Sequence, residues 1–321
     1  MIRAYFRELI ESSSRGWNTF WFQPRDTATL GLIRCLAGCM LFYTHLVWSL
    51  DLAGFFSPQG RISNRFLYDF YGQSFAWSHL NLVQSTAMLW CLHLIALSVL
   101  FCFMIGLFTR VTSILSFLIT VSYAHRAPGA LFGLDQINAM LAMYLMIGPS
   151  GASYSVDRWL RGRAGERAGA AGGEPTMPSV SANIATRLIQ LHLCVIYFFA
   201  STGKLQGISW WEGTAMWLAM GNLEYQSLDV TWLGRWPWLI NIMTHISLWW
   251  ELSYSALVWP RLTRPLVLFI AVPLHLGIAC CMGMVTFGVI MLVANLAFVS
   301  PQLVRTTVRW RPASPWHTEV D

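Results

Sequence analysis

Residues 86–108 read TAMLWCLHLIALSVLFCFMIGLF, 23 consecutive positions without one Asp, Glu, Lys or Arg. As a helix rising 1.5 Å per residue this stretch is about 34 Å long, enough to cross the roughly 30 Å hydrocarbon core of a bilayer. Lipid offers no partners to a bare backbone, so a run of this kind predicts a membrane-crossing α-helix that bonds within itself. The same criterion, carried outward along the chain, finds seven more apolar stretches at about 29–50, 110–126, 133–149, 186–203, 237–259, 265–281 and 283–300. The expected fold class is therefore all-α, a polytopic membrane helix bundle of about eight transmembrane helices. Two aromatic connections, Phe55 to Leu82 and Trp210 to Trp238, predict extra interfacial helices, because Trp and Tyr settle at headgroup level.

Of the 321 residues, 55% are hydrophobic and only 11% are charged, against about 25% charged in a soluble domain. That balance excludes a separate soluble catalytic domain and equally a collagen-like or disordered chain. The seven cysteines lie in apolar stretches without a CxxC pair, so they read as small buried hydrophobes and not as a disulfide framework. The whole of 1–321 reads as a single membrane domain. Within it, 1–28 is an amphipathic N-terminal segment, with Ile2, Phe6, Leu9 and Ile10 at helical spacing and Arg3, Arg7, Glu8 and Glu11 on other faces. Residues 158–183, rich in Gly, Ala and Arg, predict a disordered hydrophilic loop, and 302–321 a cytoplasmic tail. The formal charge of +6 points to anionic lipid as a partner and not to nucleic acid. With the N-terminus inside, fifteen basic residues fall on the cytoplasmic side and five (Arg61, Arg65, Arg126, Lys204 and Arg235) outside, which places both termini in the cytoplasm.

Ionisable groups in a bilayer need partners or a purpose. Arg34, His45, His93, His192, His245, Glu251 and His275 stand in the apolar stretches. His45, His93 and His192 read as hydrogen-bonded packing residues. Arg34 has to be matched by acceptors, since a guanidinium keeps its charge, and Glu251 has either Arg34 or a histidine to pair with. No HExxH and no His/carboxylate pair at helical spacing occurs within a span, so no metal is predicted. Lys204 is the only lysine of the sequence. It reads either as a side chain snorkelling to the interface or as a base, since a desolvated amine, unlike a guanidinium, can give up its proton.

Residues 187–216, RLIQLHLCVIYFFASTGKLQGISWWEGTAM, resemble the corresponding region of the HTTM (horizontally transferred transmembrane) domain family and of the membrane part of vitamin K-dependent gamma-glutamyl carboxylases. Tyr197, Phe198, Ala200, Lys204, Leu205, Trp211, Glu212 and Gly213 carry the likeness, with one extra residue between the lysine and the tryptophan. Arg34, the turn ending at Arg110, Asp135, Gly148-Pro149, Tyr154 to Asp157, Glu251 and His275 extend it from about Arg25 to Pro301. The resemblance implies Lys204 as catalytic base, with His275, Glu251 and, echoing a carboxylase histidine, His125 as further catalytic candidates. Arg34, Tyr197, Trp210 and Trp211 are implied as cofactor-binding residues. The implied cofactor is a lipid-soluble quinol, vitamin K hydroquinone or menaquinol, the implied substrate a secreted protein or peptide, and the implied location a bacterial inner membrane. A non-enzymatic protein aiding export or maturation of a secreted protein is the alternative reading. A transporter is disfavoured by the lack of internal repeats.

Overall fold

A computed structural model describes residues 2–72, 74–167 and 177–308. Among these the chain is all-helical, and its single strand-like feature is an isolated antiparallel bridge between Arg25 and Ser179. The helices are α1 (Ile2–Phe22), α2 (Ala28–Trp48), α3 (Leu52–Phe56), α4 (Asn64–Tyr71), α5 (Thr86–Ile105), α6 (Thr109–Arg126), α7 (Gly133–Ile147) and α8 (Val156–Arg167) in the first half. They continue as α9 (Val180–Lys204), α10 (Ile208–Trp211), α11 (Ala215–Met220), α12 (Pro237–Leu257), α13 (Arg264–Cys281), α14 (Val285–Asn295) and α15 (Pro301–Thr307).

Among the described residues, four helical segments are long and apolar enough to cross a membrane: Ala28–Phe56, Thr86–Ile105, Val180–Lys204 and Arg264–Cys281. A fifth, bent by 118°, is formed if Val285–Phe298 and Pro301–Thr307 count as one. The other expected spans fall short for visible reasons. In α6, Arg110, Thr112, Ser113, Ser116, Thr120 and Ser122 interrupt the apolar residues, and Thr120 donates its hydroxyl to the Ser116 carbonyl at 2.7 Å. With 15 residues α7 rises only about 22 Å, and α12 interleaves Asn241, Thr244, His245 and Glu251 with its apolar residues. These shorter or more polar helices pack with the long ones around one core built from α2, α5, α7, α9, α12, α13 and α14.

Glycine sets the closest approaches. A side chain on Gly38 of α2 would come within 2.7 Å of the Met104 Cα in α5, and one on Gly31 within 2.6 Å of the Ser153 carbonyl oxygen, so small residues let these backbones meet as membrane helices commonly do. At the end of α5, Gly106 takes φ +73° and the Leu107 amide reaches back 2.8 Å to the Cys102 carbonyl, a helix stop that requires a left-handed residue. The space beside Gly106 holds the Arg34 guanidinium.

Both terminal segments reach one end of the bundle. Asp26 pairs with Arg305 at 2.8 Å, and the Asn183 amide donates to the Phe20 and Trp21 carbonyls at 2.7 and 3.0 Å. The expected disordered loop, 158–183, is corrected at both edges, since α8 runs to Arg167 and α9 begins at Val180. Asp157 anchors α8 to the start of α6, and the Arg163 guanidinium stacks over Trp159 at 4.0 Å. Residues 168–176 of that loop and 309–321 of the expected tail lie outside the described residues.

Candidate functional site

Lys204 closes α9, but its amine does not turn out to the interface. Helical side chains lean toward the N-terminus of their helix, and this one meets the Glu251 carboxylate of α12 at 2.5 Å, with the two side chains 25% and 7% exposed. The Trp210 ring covers the amine at 4.7 Å, which gives the cation an aromatic face on its remaining side. Glu251 stands fourteen residues, about 21 Å of helix, beyond the start of α12, so the ion pair lies within the bundle. The second carboxylate oxygen, Oε2, is buried and has no partner among the described residues.

A second polar chain lies on the neighbouring helices. Tyr254 of α12 donates its hydroxyl to Asn295 Oδ1 in α14 at 2.7 Å, and Asn295 Nδ2 donates to the Tyr197 hydroxyl of α9 at 3.0 Å and to the Met291 carbonyl at 2.9 Å. The imidazole tautomer that gives the Tyr197 proton an acceptor has the hydroxyl donate to Nε2 of His275 in α13, 2.6 Å away. That direction leaves the His275 proton on Nδ1, which is buried and unpartnered. The Tyr197 ring packs against Tyr254 and Trp250 at 4.2 and 5.1 Å, and Phe287 closes the far side of the imidazole at 6.4 Å. A side chain on Gly288 would strike the His275 carbonyl at 2.5 Å, so α14 presses directly against this turn of α13. Trp250, next to Glu251 in α12, packs against both the Tyr197 and the His275 rings, at 5.1 and 6.4 Å, so the ion pair and the hydrogen-bonded chain belong to one neighbourhood.

Helices α9, α10, α12 and α13 thus bring together Lys204, Tyr197, Trp210, Glu251 and His275, five of the residues singled out in the sequence. The partner of Glu251 is Lys204, in place of Arg34 or a histidine. Trp211 is exposed and donates its indole N–H to the Leu205 carbonyl at 2.8 Å, the posture of an interfacial anchor. Arg34 is fully buried elsewhere, donating to the Phe103 and Met104 carbonyls at 2.9 and 3.2 Å and to the Tyr154 carbonyl. Leu30, one turn before it, and Ala185 both abut Gly148, and from Ala185 to Lys204 is nineteen residues or roughly 28 Å of α9. Arg34 therefore satisfies the orphan carbonyls at the end of α5 and does not join the Lys204 site. His125, on α6, takes the Trp77 carbonyl at 2.9 Å and packs against Tyr71, in a different group. His93 bridges Ser49 and Tyr123 at 2.8 and 2.7 Å, and His192 meets the Tyr144 hydroxyl at 2.9 Å. Asn295 and Tyr254 were missed; a lone amide in the apolar run 285–298 was the available signal, because an amide in such a run needs an interhelical partner.

The HTTM domain family matches residues 22–302. The chain belongs to the HTTM domain family. This HTTM protein is 26% identical over 140 residues to the uncharacterized protein YitO of Bacillus subtilis (strain 168), an overlap of 40% of this chain and 43% of the relative. The match thus spans less than half the length of the curated relative. No solved structure matches the HTTM chain. All of the residues gathered around Lys204 lie inside the family match.

Proposed function

We propose that this protein is a membrane enzyme that handles protons for a lipid-soluble hydroquinone of the vitamin K or menaquinol class, with Lys204 as base. The observation that carries the reading is that two buried side-chain atoms have no partner among the described residues, Glu251 Oε2 of the ion pair, an acceptor, and His275 Nδ1 on the neighbouring α13, a donor when Tyr197 donates to Nε2. Buried polar atoms without partners are costly, and one acceptor with one donor suits a ligand that carries both a hydroxyl and a carbonyl-like oxygen. When bound, the hydroquinone supplies the reducing electrons for reaction with dioxygen.

The residues do the rest. A proton moved along the 2.5 Å contact from Lys204 to Glu251 turns the ion pair into an amine and a carboxylic acid without changing net charge. Covering the pair with an apolar ring removes water and favours that neutral form, since low dielectric penalises separated charges. The free amine then accepts a hydroxyl proton, and Trp210 holds it in place. Tyr254, Asn295 and Tyr197 fix the His275 ring with its N–H directed away from Tyr197. Phe198 and Phe199, exposed on α9, make an apolar approach from the lipid side.

In this reading the arginine-rich end faces the cytoplasm of a bacterial inner membrane and the remaining helices complete an eight-span bundle. The protein reconstituted in liposomes with chemically reduced menaquinone or vitamin K should oxidise it in air faster than empty liposomes. Incorporation of carbon dioxide into a Glu-rich peptide in the same vesicles reads out a carboxylase, a carbon–carbon lyase reaction. Oxidation no faster than in empty liposomes with either quinol would refute the proposal.

A further inference from the structure

Between the start of α6, the end of α7 and the start of α8 lies an open groove of about 840 Å³ that shares no residue with the surroundings of Lys204. Val111, Ile147 and Leu160, all exposed, give it apolar walls. Arg110 and Arg161, also exposed, line the same groove. Arg110 spends one N–H on the Met146 carbonyl at 3.0 Å, and Arg161 spends its Nε on the Asp157 carbonyl at 3.2 Å. A guanidinium has five N–H donors, and among the described residues the remainder on these two have no acceptor. The groove also contains the Asp157 carboxylate, which is fully engaged: it accepts from the Phe108 and Thr109 amides at 2.8 and 2.7 Å and from the Thr109 hydroxyl at 2.6 Å. Two guanidinium charges against one carboxylate leave the groove with one positive charge.

The position of the groove narrows the ligand. It opens where α6 starts, beside the end of the membrane-crossing α5, so apolar walls and cationic rim meet at the level where hydrocarbon gives way to headgroups. A free phosphate has no use for Val111, Ile147 and Leu160, whereas a phospholipid uses both halves. We propose that this groove binds an anionic phospholipid, its phosphate between Arg110 and Arg161 and an acyl chain along Val111, Ile147 and Leu160. The inference is independent of the hydroquinone reading.

The test uses the full-length protein in detergent with equal amounts of phosphatidylglycerol and phosphatidylcholine, bound lipid being counted by native mass spectrometry. Phosphatidylglycerol should be retained in preference, and Arg110→Gln with Arg161→Gln should lower its retention about tenfold to thirtyfold with the melting temperature in phosphatidylcholine micelles unchanged. Millimolar inorganic phosphate should not displace it. Equal retention of the two lipids by the parent would overturn the proposal without recourse to any variant. So would parental retention in the double variant, or displacement by phosphate alone, which would mark a site for free phosphate.

Discussion

Lys204 and Glu251 stabilise each other only as a pair. Removing one partner leaves the other charge in a largely buried place, which costs about 3–5 kcal/mol, while replacing both with apolar residues of similar size is close to neutral. Lys204→Met and Glu251→Leu should therefore each lower the melting temperature in detergent, and the double variant should recover most of the loss. Losses that simply add would show that the two side chains are not coupled. Lys204, Glu251, Tyr197 and His275 were each legible in the sequence as ionisable or family-matched residues in apolar surroundings. Their grouping was not. Lys204 and Glu251 are 47 positions apart and Tyr197 and His275 78 apart, and only the packing of α9, α12 and α13 brings them together. Arg34 shows the reverse case: its need for acceptors was legible, but the carbonyls at the end of α5 that supply them were not.

At the scale of the element, the start of α6 depends on a residue from another helix. The Asp157 carboxylate at the first turn of α8 satisfies donors at the start of α6, the service a helix usually gets from its own N-cap. Burial pushes this carboxyl up, but the Thr109 hydroxyl and the Thr109 and Phe108 amides outweigh it and hold the group below its ordinary value of 3.8. A depressed carboxylate contributes stability above its unfolded value and loses it as pH falls through the folded one. Asp157→Asn should then cost about 1 kcal/mol at neutral pH, and the gap between variant and parent should close as the pH is taken below 3.8. A gap that persists unchanged into acid would refute the role. This contact also explains why 158–167 is helical where composition predicts disorder: Gly and Ala content describes the segment alone, and Asp157 ties its start to a neighbour. Span number is the other element-level difference, since hydropathy read from sequence does not say which polar helices are sheltered by α2, α5, α9 and α13.

For the whole molecule, the Asp26–Arg305 ion pair puts the N-terminal and C-terminal segments at one end of the bundle, and we propose from the arginine bias that this end faces the cytoplasm. Epitope tags on the two termini should both be hidden in intact cells and both be exposed after permeabilisation; a tag reachable from outside would reverse or break the arrangement. The same architecture sets the ion pair of α9 and α12 inside the membrane domain, with Glu251 Oε2 and His275 Nδ1 unpartnered among the described residues, and the proposed reaction turns on proton transfer at Lys204. The most direct test is the rate of hydroquinone oxidation in proteoliposomes by the parent, Lys204→Arg and Lys204→Ala. Arginine keeps the charge but does not release a proton. If Lys204 is the base, both variants should fall about 100-fold or more, within a few-fold of each other, when assayed well below the lowered melting temperature of Lys204→Ala, where both remain folded and inserted. Oxidation by Lys204→Arg at the parental rate would contradict the account.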